Sequence, residues 1–279
     1  MRRRRDRAAV LGLGVIAAAV LVAALAPVLA PTDPLKGDLL ERLSPPAWAP
    51  GGALAHPLGT DTLGRDVLSR LIHGARVSLI VGFTTVLIAG VAGVVLGVLG
   101  GYYGGRLDEA VMRIGDIQLA FPVLLLGVAL LAVLGASLGN LIFVLALSGW
   151  ITYARIVRGE TLSVKERGFV EAARALGAGD GHVIRRHVLP NVWTPLVVVA
   201  TFSVARMIIA EASLSFLGLG VPPPAPSWGA MLDEGRNYIT TGWWLALFPG
   251  LAILLVVLGI NVVGDWLRDL LDPRLERGI

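Results

Sequence analysis

The chain contains no cysteine. Disulfides, thiolate metal sites and cysteine nucleophiles are thereby excluded, while the redox compartment stays open. Lysine occurs only at Lys36 and Lys165, and neither follows a glycine-rich loop leading into a helix. With no G-x-x-x-x-G-K-[ST] run there is no cradle for nucleotide phosphates. Histidine is confined to His56, His73, His182 and His187, without metal-ligand spacing. His182 and His187 are five apart, which is wrong for one face of an α-helix. No paired carboxylates and no Ser/His/Asp set suggest catalysis. The chain is therefore expected to be neither an enzyme nor the holder of a metal or cofactor. Charge is scarce too: charged residues are 16% of the 279, against roughly a quarter in soluble domains. The arginines are scattered among apolar runs, which argues against nucleic-acid binding.

What the chain does have is apolar length. It is 55% hydrophobic, with a mean hydropathy of +0.75. A water-soluble fold of this size cannot hide that much apolar surface, so the expected class is an all-α integral membrane protein in the lipid bilayer. A spanning helix needs about 20 mostly apolar residues. Runs that satisfy this predict six spans, near 9–30, 78–102, 119–136, 139–157, 195–217 and 243–265. The first reads as an anchor rather than a cleaved signal, because it exceeds an ordinary h-region and Pro27 follows the Ala24–Ala26 cleavage-like site. The division that follows is an anchor plus external amphipathic segment over 1–76, a transmembrane domain over 77–267 and a tail over 268–279.

Orientation follows from the Lys/Arg asymmetry of the connecting segments. With the N-terminus inside, the internal segments hold Arg2–Arg5, Arg7, Arg106, Arg113 and the basic residues of 155–186 and 268–277. The external ones hold only Lys36, Arg42, Arg65, Arg70, Arg76 and Arg236. Both termini are expected in the cytoplasm, in a cytoplasmic membrane.

Within the second span, Ala89, Gly93, Gly97, Gly101 and Gly105 recur every four residues. That spacing makes a smooth stripe for close helix packing. Between the fourth and fifth spans lies a polar insert that looks folded. Phe169, Ala172, Ala173 and Leu176 share one face of a helix expected over Lys165–Leu176. Gly177 follows, where a reversal favours positive φ. Asp180 is expected to cap a second helix that runs to Leu189 and is limited by Pro190. The segment Asp61–Val77 reads as an amphipathic helix at the outer interface. Leu63, Val67, Leu68, Leu71, Ile72 and Ala75 lie on one side of it, Arg65, Asp66, Arg70 and His73 on the other. Trp243 and Trp244 are expected as interfacial anchors. Arg206 and Glu211 stand inside the fifth span, where ionisable groups are costly. Either path-lining or bundle-packing roles suit them.

At this point the sequence resembles a family. Glu171-Ala172-Ala173, three residues, Gly177, nine residues, His187, one residue and Leu189-Pro190 resemble the EAA loop of permease subunits in binding-protein-dependent ABC importers. His187 departs from the pattern, standing where many members have Ile. "HPLGTDTLGRDVLSRLIHGARVSL" and "EASLSFLGLGVPPPAPSWGAML" resemble flanking segments of the C-type permeases of dipeptide and oligopeptide importers. The resemblance implies a type I ABC importer permease fold with a cytoplasmic coupling-helix loop. It assigns ATPase coupling to Phe169, Glu171, Ala172, Ala173, Leu176, Gly177, Leu189 and Pro190. It implies a second permease of similar fold as a heterodimer partner, two ATPase subunits that bind ATP and Mg, and an external solute-binding protein. Peptides are the expected cargo, with nickel or another small solute as alternatives in the same family. An ion-gradient-driven secondary transporter is the alternative from another class.

Overall fold

The computed structural model describes residues 2–271, so most of the tail expected over 268–279 lies outside the described residues. Eleven α-helices follow one another among the described residues. They are α1 (Arg2–Ala24), α2 (Ala26–Leu29), α3 (Val67–Tyr103), α4 (Gly105–Leu119), α5 (Val123–Leu134) and α6 (Leu138–Lys165), then α7 (Gly168–Ala175), α8 (Asp180–Val183), α9 (Leu189–Phe216), α10 (Trp228–Gly235) and α11 (Trp244–Leu271). A π-helical turn, Ile184–Val188, joins α8 to α9. Strand pairing among the described residues is limited to the isolated bridges Gly37–Arg65 and Thr60–Asp66.

Five segments are long and apolar enough to cross a membrane: Asp6–Ala24, α3, α6, the α8–α9 run Asp180–Phe216, and α11. The sixth expected span is a broken one. α4 and α5 meet at 90°, and only together do they pass the same test. The cause lies in the sequence: α4 is amphipathic, α5 is uniformly apolar, and Pro122 stands directly before α5. Proline disfavours helix in the residue that precedes it, so the chain turns there.

α3 has 37 residues, about 55 Å of helix, against a hydrocarbon core of ~30 Å. From Val67 on it absorbs the segment expected to lie as a separate helix on the outer interface, while 61–66 is not helical. The polar side of that segment does not face headgroups. Arg65, Asp66 and Arg70 are all buried. Asp66 caps α3 by accepting from Ser69 N at 2.7 Å.

α3 packs on α6 along the predicted stripe. A Cβ at Gly93 would meet Trp150 O at 2.6 Å, one at Gly97 would meet Ala154 O at 2.6 Å, and one at Gly101 would meet Arg158 O at 3.0 Å. The two backbones therefore touch, as small residues in membrane helices allow. Gly105 does not belong to the stripe: it lies beyond the end of α3, in the break that starts α4. α1 packs on α11 through Gly12 and Gly259. The main core joins Leu79 and Val81 of α3, Leu145 and Tyr153 of α6, Ile208 and Leu214 of α9, and Val256 and Ile260 of α11. Outward positions such as Leu87, Leu125 and Val133 stay exposed, as the lipid-facing side of a span requires.

At the end opposite the 166–188 loop, residues 30–66 fold over the bundle. Asp61 accepts from Arg65 Nε at 2.6 Å and also from Arg70. Both arginines reach Glu234, near the end of α10. His56 lies between Glu41 Oε2 at 2.9 Å and Asp66 Oδ1 at 3.0 Å. Partial burial works against protonation of His56, but the hydrogen bonds to Asp66 and Glu41 outweigh it, and its pKa lies above the ordinary 6.5. Trp244, expected as an interfacial anchor, is instead buried, and its indole donates to Thr60 O at 3.0 Å. Trp243 keeps an exposed ring.

Candidate coupling site

α7 starts at Gly168, three residues later than the sequence pattern predicts, because α6 continues to Lys165 and Arg167 is extended. Glu171 in its first turn and Arg174 in its last complement the helix dipole. Its end is closed by two hydrogen bonds: Gly177 N to Arg174 O at 2.9 Å, and Ala178 N to Ala173 O at 3.0 Å. This is the Schellman pattern, which requires a left-handed residue after the cap. Gly177 supplies it at φ +86°.

Among the residues of α7, Val170 alone is buried. It joins a small second core of Val98 and Tyr102 from α3, Val157 and Val164 from α6, and Val183, Val188 and Val192 beyond. The face expected to carry contacts is left open. Phe169, Glu171 and Ala172 are exposed, Ala173 is half-buried, and Leu176 is 89% exposed. Phe169 and Leu176 together leave an apolar face of the loop open.

The second half of the loop differs from expectation. Gly179 occupies the cap position of α8 without a side-chain bond, and Asp180 does not cap. Its Oδ1 accepts from Tyr102 Oη at 2.7 Å. Nor does Pro190 limit the helix, because α8 runs through the π turn into α9. In an unbroken α-helix the Pro190 ring would press on the carbonyl four residues back. An i→i+5 turn, closed by Leu189 N to Ile184 O, widens that stretch. The same turn brings His182 and His187 together at 6.0 Å between ring centroids, and Phe169 sits 5.5 Å from His187. Residues five apart, off a common face in an α-helix, are one turn apart here. Leu189 and Pro190 thus begin α9 rather than closing the loop.

Tyr102 is the hub that sequence reasoning missed. Besides bonding Asp180, its carbonyl accepts from Lys165 Nζ at 2.7 Å, and the Arg174 guanidinium lies 5.3 Å from its ring. Asn191 fastens the base of α9 by donating to His187 O at 2.7 Å and accepting from Arg167 at 3.4 Å. The loop is therefore tied to α3, α6 and α9 together, while α7 shows an open face.

The two charges of the fifth span part company. Glu211 is 0% exposed, and its carboxylate accepts from Ser78 at 3.0 Å and Ser215 at 2.8 Å. Arg206 is exposed, and its guanidinium donates to Ser203 Oγ at 2.9 Å. No group of three or more His, Cys, Asp or Glu that could hold a metal ion occurs among the described residues.

Comparisons with known proteins bear on the fold and the family. Residues 93–277 match the binding-protein-dependent transport system inner membrane component family. Residues 1–46 match the N-terminal TM domain of oligopeptide transport permease C. The chain is 47% identical to the di/tripeptide transport system permease protein DppC of Pseudomonas aeruginosa over 92% of its length and 85% of that protein's. It is 41% identical to the dipeptide transport system permease protein DppC of Haemophilus influenzae, over 98% of this chain and 93% of that one. The solved MetNI methionine ABC transporter, in inward-facing conformations, aligns with a TM-score of 0.59 at 23% identity, covering 73% of this chain and 96% of that one. That likeness establishes the type I importer permease fold. With a family match over most of its length, the chain belongs to the inner membrane components of binding-protein-dependent transport systems.

Proposed function

We propose that the chain is a permease subunit of an ATP-driven importer of di- and oligopeptides, and that residues 165–190 couple it to ATPase partners. The relatives named for dipeptide and di/tripeptide transport support the cargo class. The observation that carries the coupling role is the open face of α7, pinned to the bundle from behind by Val170. A helix that shows Phe169, Ala172 and Leu176 outward while its other side joins α3, α6 and α9 is placed to receive force and pass it on. The complex would contain a second, similar permease, two ATPases binding ATP and Mg, and an external binding protein. Both termini and the loop face the cytoplasm in this reading.

The work required sets how stiff the loop must be. Moving a two-state equilibrium from 1:99 to 99:1 takes about 5.5 kcal/mol. ATP binding draws the ATPases together, and the bundles rock between access states. Tyr102 and the valine cluster transmit that displacement without requiring the loop to refold. Glu211, the carboxylate an ion-driven carrier would need, is buried and tied to Ser78 and Ser215. It acts as a tether between α9 and α3.

The decisive experiment compares two variants at matched expression. Ala172→Trp overfills the contact face, at a cost of about 1–3 kcal/mol, which is roughly five- to a hundredfold in association. Its membranes should lose co-purifying ATPase, whereas Glu211→Gln should retain it. The opposite pattern would show that the ATPase contact lies elsewhere.

A further inference from the structure

Arg206 is explained by neither the coupling loop nor the folded segment at the other end. An arginine inside a span ordinarily faces water, a bundle interior or an anion. Arg206 stands ten residues before the end of α9 at Phe216, so about 15 Å of helix separates it from that end. With Phe216 taken as the edge of the bilayer, that is half of the ~30 Å hydrocarbon core. Among the described residues its hydrogen bond goes to Ser203, and none of the ion pairs involves it. Glu211 lies five positions on, about 140° around the helix, and is already engaged.

The guanidinium opens into a cavity of about 350 Å³ between α3, α5, α6 and α9, which also exposes Ser148, Thr152, Ser203 and Ser213. Small-ligand pockets begin at about 300 Å³, so the cavity is on the scale of a small peptide. Tyr153 lines the same cavity, is 2% exposed, and its hydroxyl has no hydrogen-bond partner among the described residues. Buried hydroxyls are nearly always paired. A fixed cation, a serine and an unused buried O–H donor around one concave space match an anionic acceptor group that arrives and leaves.

We propose that Arg206, with Ser203 and Tyr153, receives the terminal carboxylate of the peptide during its passage through this subunit. The proposal rests on the permease reading above. A carboxylate fits the flat, forked guanidinium through two parallel hydrogen bonds, with the phenol as a third donor. Every unmodified peptide carries this group whatever its side chains, so such a site holds cargo without narrowing specificity.

The test uses the complete importer in proteoliposomes, with saturating binding protein and radiolabelled dialanine. Arg206→Gln should lower dialanine taken up per ATP hydrolysed about tenfold. Arg206→Lys, which keeps charge but loses the fork, should fall about threefold. Tyr153→Phe should fall two- to fivefold, and it carries the test if Arg206→Gln fails to assemble. Wild-type coupling ratios in both Arg206→Gln and Tyr153→Phe would overturn the proposal. So would selective loss of the second permease from Arg206→Gln, which would place a partner's carboxylate on the arginine. An effect that follows the anionic-lipid content of the vesicles would overturn it too, by assigning the site to lipid phosphate. If the wild-type complex moves neither dialanine nor a longer peptide, the peptide-permease reading itself fails.

Discussion

The two ends of the molecule differ in where they keep their charges. At the loop end, large apolar side chains lie open, with Leu176 89% and Phe169 44% exposed. At the opposite end, charges lie hidden, with Asp61 at 2%, Arg70 at 3% and Asp66 at 1% exposed. The first end spends its apolar groups outward and is held from behind by valines. The second is closed on itself by ion pairs and by Trp244. The opposite end also leaves large apolar side chains open, Leu40 at 93% and Leu54 at 90%, so what separates the two ends is the buried charge cluster, which fits the end that holds it to keep its shape.

The largest effect should come from opening the closed end. Asp61→Ala leaves two buried arginines with the part-exposed Glu234 as their remaining carboxylate, and removing one partner from such a buried cluster costs up to about 3–5 kcal/mol. Thermal denaturation of the detergent-purified complex should show a large drop in midpoint. A change smaller than that of any loop variant would erase the contrast between the ends. Next is Gly177→Val. Forcing a β-branched residue into the left-handed region costs roughly 1–2 kcal/mol, confined to the α7 turn. Peptide uptake should fall while membrane insertion and the melting midpoint stay near wild type. Normal uptake would remove the turn from the coupling path.

A labelling experiment sharpens the comparison without depending on energy. Because the chain has no cysteine, single replacements report without background. Glu166→Cys should react with a membrane-impermeant thiol reagent only from the cytoplasmic side, and Leu54→Cys only from outside. Reversed labelling would exchange the two roles. The smallest effect concerns His56. Its folded pKa is raised above 6.5, so its contacts with Glu41 and Asp66 contribute fully below that pH. The contribution fades as pH rises through the folded value. Glu41 is half exposed, which keeps the effect below about 1 kcal/mol. The melting midpoint of the wild type should decline between pH 6.5 and 8.5 slightly more than that of His56→Gln. Parallel curves would mean that this histidine does not titrate with folding.

The spans, the Gly93–Gly97–Gly101 packing stripe and the Gly177 turn were legible because each is a local pattern, fixed by spacing along one helix. The reading of 61–77 as a surface helix misjudged which side faced out. Amphipathicity shows that Arg65 and Arg70 share a face, but Asp61 and Glu234, which bury them, cannot be paired with them by period. Tyr102 escaped notice for the same reason, since its bond to Asp180 bridges 78 positions. The His182–His187 contact failed differently: the spacing was correct, and the assumption of 3.6 residues per turn was not. Pro190, four residues beyond Arg186, was the available sign that the turn would widen.

The unbroken length of α3 has a mechanical consequence. Arg70 in the closed end and Tyr102 at the loop hub belong to one helix, about 48 Å apart along its axis. A stiff rod of that length needs no relay of side chains to carry a signal. If the clamped end acts as a fulcrum, a tilt of about 6° swings the other by about 5 Å, close to the pitch of one helical turn. The ion pairs at one end then determine the leverage available to whatever moves the other.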